Sequence, residues 1–149
     1  MELTKPTELL EFETMLFGRY SLIPRKGDNG LDRSAYLLLS LLRGEGPMSI
    51  GQLSDTLGLD ASTLNRQTAA LLRADLAERI PDPDGGIARK FRVTAEGVAR
   101  LDAERAQSLR HLDEILAGWS DEDVSALASL LARFNADIES YRGKHWPRS

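Results

Sequence analysis

Two short segments of the sequence collect positive charge and contain no acid. Residues 61–73 hold two arginines and residues 85–94 hold three cations, within a chain whose net charge is −4. Guanidinium and ammonium groups bind phosphate oxygens through charge-assisted hydrogen bonds. The pattern therefore predicts a local surface for a polyanion. The five cations are Arg66, Arg73, Arg89, Lys90 and Arg92.

Residue types that would support catalysis or metal binding are scarce. The chain has no cysteine, which excludes disulfides and thiolate metal sites. Its two histidines, His111 and His145, lack metal-binding spacing, although carboxylates could complete a site around either one. No nucleophile with a base is evident, and Gly85-Gly86 is too short for a phosphate-binding loop. We expect no enzyme activity, no cofactor and no metal.

The first cationic segment belongs to a predicted pair of short helices. Ser49 is the expected N-cap of the first helix, Gly58 its left-handed stop, and Asp60 the expected N-cap of the second. Two short helices around a glycine turn, with a polar outer face on the second, are typical of a helix-turn-helix. The residues expected to contact DNA from the second helix are Ser62, Thr63, Asn65, Arg66 and Gln67.

The second cationic segment follows a hairpin signal. Residues 76–80 and 87–93 are β-prone and flank Asp82-Pro-Asp-Gly-Gly86, in which Asp-Gly and Gly-Gly are typical of a turn. Alternation along the second run predicts that Phe91 and Val93 face inward and that Lys90 and Arg92 face solvent or a polyanion. The DNA contacts expected from this hairpin are Arg89, Lys90 and Arg92.

Long apolar helices are predicted on both sides of this central part. The helices expected near residues 7–23, 94–118 and 121–141 carry more apolar residues than one small core can cover. We therefore expect them to pack together and against a second copy of the chain. The residues expected at this homodimer interface are Leu9, Phe12, Leu16, Leu127, Leu131, Phe134 and Ile138.

These elements predict a mainly α fold with a small β-hairpin. A winged helix-turn-helix lobe is expected at residues 31–96, and a helical dimerisation region at residues 1–30 and 97–142. Residues 143–149 are expected to form a tail. The composition, 42% hydrophobic and 28% charged, is that of a globular protein, and no secretory signal or membrane-spanning run is evident, so we expect a cytoplasmic protein.

The sequence resembles the MarR family of winged-helix transcriptional regulators from Leu9 to Tyr141. Its most specific match is Val93-Thr94-Ala95-Glu96-Gly97, which follows a basic strand as in the family. The tip of the hairpin departs from the family pattern, because Gly85 stands at the usual acid position and Ile87 at the usual arginine position. A tip without that arginine is expected to read the minor groove poorly.

The resemblance implies a homodimer that binds a pseudo-palindromic operator in double-stranded DNA, with Arg66 in the major groove. It also implies a small-molecule effector that binds in a crevice between the helical dimerisation region and the lobe and releases the protein from its operator. Phe17, Tyr20 and Tyr36 could line such a crevice, although core packing is the stronger explanation for them. The alternative function is a winged-helix module that binds protein and not DNA.

Overall fold

The computed structural model describes residues 5–20 and 31–148, which form six helices and one two-stranded antiparallel sheet. This architecture confirms the predicted fold class. The elements in chain order are α1 (Pro6–Arg19), α2 (Arg33–Glu45), α3 (Ile50–Leu57), α4 (Ala61–Arg73), β1 (Ala77–Ile80), β2 (Lys90–Val93), α5 (Ala95–Ile115) and α6 (Asp121–Arg142).

The hydrophobic core lies in the lobe and is built around α2. This helix contacts α4, α5 and β2, and it buries four leucines within five positions. Leu53 from α3, Leu64 from α4 and Phe91 from β2 join the same cluster. Because helices from several directions cover α2, its apolar residues extend beyond a single stripe. The buried leucines of α2 are Leu38, Leu39, Leu41 and Leu42.

Capping side chains set the start of both helices of the helix-turn-helix. Ser49 Oγ accepts a hydrogen bond from the Gln52 amide at 3.2 Å, and Gln52 Oε1 accepts one from the Ser49 amide at 2.9 Å. Gly58 ends α3 in the left-handed conformation, with φ of 68°. Asp60 Oδ1 then accepts a hydrogen bond from the Thr63 amide at 2.7 Å. These bonds satisfy amides that a helix start leaves open.

The wing, residues 77–93, is held on both edges of β2. On one edge β2 pairs with β1 in a register that places Arg79 opposite Phe91. On the other edge Phe91 pairs with Met48, just before α3, through N–H to O bonds of 2.8 and 3.1 Å. This second pairing fixes the wing to the start of the helix-turn-helix.

The predicted second strand, residues 87–93, is longer than the observed one. β2 begins at Lys90, whose partner Ile80 is the last residue of β1. Pro81 follows Ile80 and has no amide hydrogen to continue the ladder, so the intervening residues form a loop. Alternation between two strand faces therefore does not apply to Ile87 or Arg89.

The first helix is also shorter than predicted at its carboxyl end. α1 ends at Arg19, and the rest of the predicted helix, residues 21–23, lies outside the described residues. Neither α1 nor α6 contains a buried residue in a single chain. After α6 the chain turns back toward the lobe. Trp146 packs against the core, and its amide donates to Glu139 Oε1 at 3.3 Å.

Two of the contacts between α5 and the lobe involve a buried carboxylate and a glycine. Glu104, only 4% exposed, accepts a hydrogen bond from the Leu31 amide through Oε1 at 2.8 Å. Gly97, in the first turn of α5, lies so close to β1 that an added Cβ would stand 2.1 Å from the Leu76 carbonyl oxygen. Only a residue without a side chain permits this approach, which explains why a glycine follows Thr94 at this spacing.

Gly97→Ala is therefore expected to destabilise the protein by about 2 kcal/mol or more, because backbone atoms of Leu76 must move to relieve the overlap. Gly44→Ala is the matched control, since a Cβ added there would have no atom within 4 Å and alanine favours a helix by up to about 1 kcal/mol. Thermal unfolding at equal protein concentration measures both. Equal stability of the Gly97→Ala variant and the unchanged protein would contradict the close approach.

Candidate nucleic-acid interface

The outward face of α4 presents two polar side chains that its own cap leaves available. Asn65 and Arg66 are exposed, and among the described residues Arg66 Nη2 makes only a long contact of 3.4 Å with Thr63 Oγ1. Ser62 is exposed but donates from Oγ to Asp60 Oδ1 at 3.1 Å. Hydrogen bonds from Thr63, and then from Ser62, hold the pKa of Asp60 below its ordinary value. Asp60 therefore stays ionised and fixes the start of the helix.

The other two residues predicted on this face are half-buried. Thr63 takes part in the Asp60 cap through its amide, and Gln67 lies toward the side of α4 that faces α2. The structure thus places all five predicted residues within the first two turns of α4. Of these five residues, Asn65 and Arg66 are exposed and take no part in the Asp60 cap.

A groove runs between the helix-turn-helix and the wing; we call it the backbone groove. Its volume is about 450 Å³. Three parts of the fold meet there, namely the first turn of α3, the outer face of α4 and the wing. Its polar lining residues are Ser49, Asn65, Arg79 and Arg89.

Two of the three predicted wing cations are paired with acids. Lys90 Nζ lies 3.4 Å from Asp82 Oδ1, and the Lys90 side chain is only 12% exposed. Arg92 lies opposite Glu78 in the strand register and donates from Nε to its Oε1 at 2.8 Å. The expectation that Lys90 faces solvent is wrong, because the turn folds Asp82 back over it. Residues 85–94 contain no acid, but the neighbouring turn and strand supply Asp82 and Glu78 as partners.

The wing cations without an acid partner among the described residues are Arg79 and Arg89. Both are exposed and both line the backbone groove. The Arg79 guanidinium lies 5.4 Å from the centroid of the Phe91 ring, in the range of a cation–π contact. Sequence reasoning missed Arg79, because only the register that pairs it with Phe91 brings it to this surface. Arg89 was predicted and lies at the groove.

Two further crevices lie away from the backbone groove. One, of about 590 Å³, lies between α2, α4 and α5 and includes Arg66 and Gln67 in its lining. The other, of about 440 Å³, lies between α2 and α5 and is lined in part by Tyr36 and by the Arg43–Asp102 ion pair. Phe17 and Tyr20 are exposed on α1 and its end and line neither crevice, so the three predicted aromatic residues do not converge in one chain.

Within the described ranges, no three acids or histidines stand close enough to hold a metal ion. Nor does any helix in this part of the chain have the length and apolar character that crossing a membrane requires.

The fold and this surface define a winged helix-turn-helix protein with long terminal helices. Residues 29–86 match the family model described as MarR family. The uncharacterized HTH-type transcriptional regulator YxaD of Bacillus subtilis (strain 168) is 35% identical over 138 residues, which cover 91% of this chain and 96% of that relative. The chain belongs to the MarR family, a family of transcriptional regulators and not of enzymes.

Solved structures share this fold at low sequence identity. Apo MarR from E. coli matches with a TM-score of 0.69 and 19% identity, over 89% of this chain and 98% of that one. The PcaV transcriptional regulator from Streptomyces coelicolor, solved in complex with its natural ligand, matches with a TM-score of 0.62 and 21% identity, over 92% and 98%. At these identities the likeness shows the fold alone.

The turn of the wing is expected to depend on pH through Asp82. The hydrogen bond from the Asp84 amide, and then the nearby Lys90, hold the pKa of Asp82 below its ordinary value of 3.8. A carboxyl whose pKa is lowered by folding stabilises the folded turn at any pH above its pKa in the unfolded chain. This stabilisation is lost as the pH falls through the pKa of the folded state. Carboxyl resonances followed by NMR should therefore show Asp82 titrating below 3.8, with the Asp84 amide unperturbed down to about pH 4.

Lys90→Ala provides the comparison for this titration, because it removes one of the groups that lower the pKa of Asp82. In that variant the pKa should rise toward the ordinary value. An Asp82 that titrates at or above 3.8 in the unchanged protein would show that the turn is not held as described.

Proposed function

We propose that this protein binds double-stranded DNA sequence-specifically as a homodimer and thereby regulates transcription. The observation that carries the proposal is the arrangement of Asn65 and Arg66 beside a groove lined by Arg79 and Arg89. A helix with exposed polar side chains fits the major groove. Cations beside it that pair with no acid among the described residues fit the phosphate backbone. Such a regulator acts in the compartment that holds the DNA, and we propose the cytoplasm.

The proposed role of Arg66 is to read a base edge. Its guanidinium is exposed on the second turn of α4 and makes no ion pair among the described residues. Arginine binds the O6 and N7 atoms of guanine in a bidentate manner, and Asn65 beside it can do the same with the N6 and N7 atoms of adenine. Ser62, Thr63 and Gln67 flank this pair and are proposed to contact the backbone or adjacent bases.

The proposed role of the wing is to bind phosphate, mainly through Arg79 and Arg89. The sugar-phosphate backbone that borders the major groove beside α4 would lie in the backbone groove. There, Ser49 and Gly51 at the start of α3 lie opposite the two arginines. Lys90 and Arg92 remain predicted contacts. Smaller contributions are expected from them, because binding phosphate would compete with Asp82 and Glu78.

The proposal of a homodimer rests on the uncovered apolar surface of the long helices. α1 and α6 are 14 and 22 residues long and bury no residue within one chain. Their apolar residues need another surface to cover them, and a second copy supplies an identical one under two-fold symmetry. The residues proposed for the interface are Leu9, Phe12, Leu16, Leu127, Leu131, Phe134 and Ile138, all exposed or half-exposed.

A small-molecule effector is proposed to bind in the crevice between α2, α4 and α5. Its volume of about 590 Å³ lies within the range of ligand sites, and its lining mixes apolar residues with Arg66, Gln67 and Arg100. Because two of these belong to α4, a ligand there would contact the helix proposed to read DNA. The transcriptional regulator PcaV, which shares this fold, was solved in complex with its natural ligand.

Three arginine variants test the proposed contacts. Arg66→Ala is expected to weaken binding to a preferred duplex by about 1–3 kcal/mol and to relax the preference, because it removes a base contact. Arg79→Ala and Arg89→Ala should weaken binding to preferred and random duplexes equally. Each should also lower the slope of log affinity against log salt by about one, because a phosphate contact releases a counterion. Fluorescence anisotropy over a salt series measures all three.

The matched control is Arg92→Ala, which removes a half-exposed wing cation that is already paired with Glu78. Its effect should be smaller than that of Arg79→Ala or Arg89→Ala. Equal effects of all three wing variants would contradict the assignment by pairing. Binding of no duplex at low salt would favour the alternative function, a module that binds protein.

Leu131→Asp is expected to shift the protein from dimer to monomer or to aggregation, because it places a charge in the apolar surface of α6. Leu59→Asp is the matched control: Leu59 is equally exposed, at 38%, but lies in the turn of the helix-turn-helix, so the dimer should persist. Sedimentation velocity distinguishes the species. A folded monomer of the unchanged chain at micromolar concentration would rule out the proposed dimer.

A further inference from the structure

The loop at the end of the wing carries an apolar side chain in full contact with solvent. Ile87 has a relative exposure of 105%, the highest of any large apolar side chain in the described ranges. Most other exposed apolar residues lie on α1, α5 and α6, where a second copy is proposed to cover them. Single exposed apolar residues are common on proteins, so the position of Ile87 must decide its role.

Hydrogen bonds and an ion pair centred on Asp82 brace the loop that carries Ile87. Asp82 accepts hydrogen bonds from the Asp84 amide at 2.9 Å through its side chain and from the Gly85 amide at 3.0 Å through its carbonyl oxygen. Gly86 passes over the Asp82 carboxylate, where an added Cβ would lie 2.3 Å from Oδ2. Lys90 pairs with the same carboxylate from the far side of the loop. These bonds fix the base from which Ile87 projects.

Ile87 also stands beside the proposed DNA surface. The next two residues, Ala88 and Arg89, line the backbone groove together with Asn65 of α4. When a helix lies in the major groove and a phosphate strand runs beside it, the adjoining groove beyond that strand is the minor groove. Ile87 immediately precedes these groove-lining residues in the chain, so its fully exposed side chain lies within reach of that adjoining groove.

An isoleucine in a minor groove reads DNA differently from an arginine. Arginine follows the negative potential of narrow A-tract grooves, whereas an apolar side chain gains contact by entering between base pairs that unstack easily. Pyrimidine–purine steps such as TA and CA deform most readily, and A-tracts resist deformation. The two side chains therefore favour opposite flanking sequences of the same A·T content.

We propose that Ile87 is an apolar minor-groove contact that selects a deformable pyrimidine–purine step beside the major-groove site. This proposal rests on the proposed DNA-binding function and adds a specificity determinant to it. The feature that Ile87 selects is the ease with which one pyrimidine–purine step unstacks. Arg89 binds the phosphate next to that step.

Duplexes that differ in one flanking step test the proposal. Their central sequence is one that the protein selects from a random pool, and a TA step is moved one base pair at a time through a flank of constant composition. The unchanged protein is expected to bind about three- to tenfold more tightly when the step lies at the wing than when it is absent. A 2-aminopurine in place of the adenine of that step should become more fluorescent on binding, because the base unstacks.

Ile87→Ala should lose both the preference and the fluorescence increase, and Ile87→Val should keep part of each. Ile87→Arg should reverse the preference toward A-tract flanks. Leu59→Ala, which changes another exposed apolar side chain of the lobe, should leave the preference unchanged. Because Ile87 is fully exposed, these variants should fold as the unchanged protein does, which thermal unfolding checks.

Retention of the step preference by Ile87→Ala would overturn the proposal. The absence of any preference in the unchanged protein would overturn it too, while specific binding to the central sequence would leave the proposed function intact. If the protein selects no duplex from the pool, the proposed function itself fails.

Discussion

The pairing of Phe91 with Met48 is the interaction on which the geometry of the surface proposed to bind DNA depends. A two-stranded hairpin is marginally stable alone, and β1 with β2 would leave the wing free to pivot. The two hydrogen bonds to Met48 tie β2 to the residue just before the Ser49 cap, and the Phe91 ring is buried in the core around α2. The wing, the start of α3 and the outer face of α4 therefore keep one arrangement. The backbone groove is the space between them.

The junction between the lobe and the long helices follows from a second constraint. Gly97 allows the start of α5 to lie against the Leu76 carbonyl, and Glu104 binds the Leu31 amide about two turns further along α5. The orientation of α5 relative to the lobe is thus fixed in one chain. Since α1 and α6 bury nothing in that chain, the spacing of two lobes in a dimer would be set by how these helices pack across the interface.

The fold was predictable because its signals are local. Ser49, Gly58 and Asp60 stand at helix ends where their side chains or backbone freedom serve local hydrogen bonds, and the 3.6-residue period of α4 separates Leu64 and Leu71 from Asn65 and Arg66. The electrostatics of the wing were not predictable in the same way. Glu78 reaches Arg92, and Arg79 reaches Phe91, only through a strand register that local sequence does not determine. The loop geometry that buries Lys90 against Asp82 likewise depends on where Pro81 ends the ladder.

The most direct test of DNA recognition by this surface is selection of duplexes from a random pool, followed by sequencing of the bound fraction. The proposed dimer with one α4 per half-site predicts enrichment of a two-fold symmetric sequence, with half-site centres about 10 base pairs apart or a multiple of that spacing. Failure to enrich any sequence at low salt, where phosphate contacts are strongest, would contradict the account.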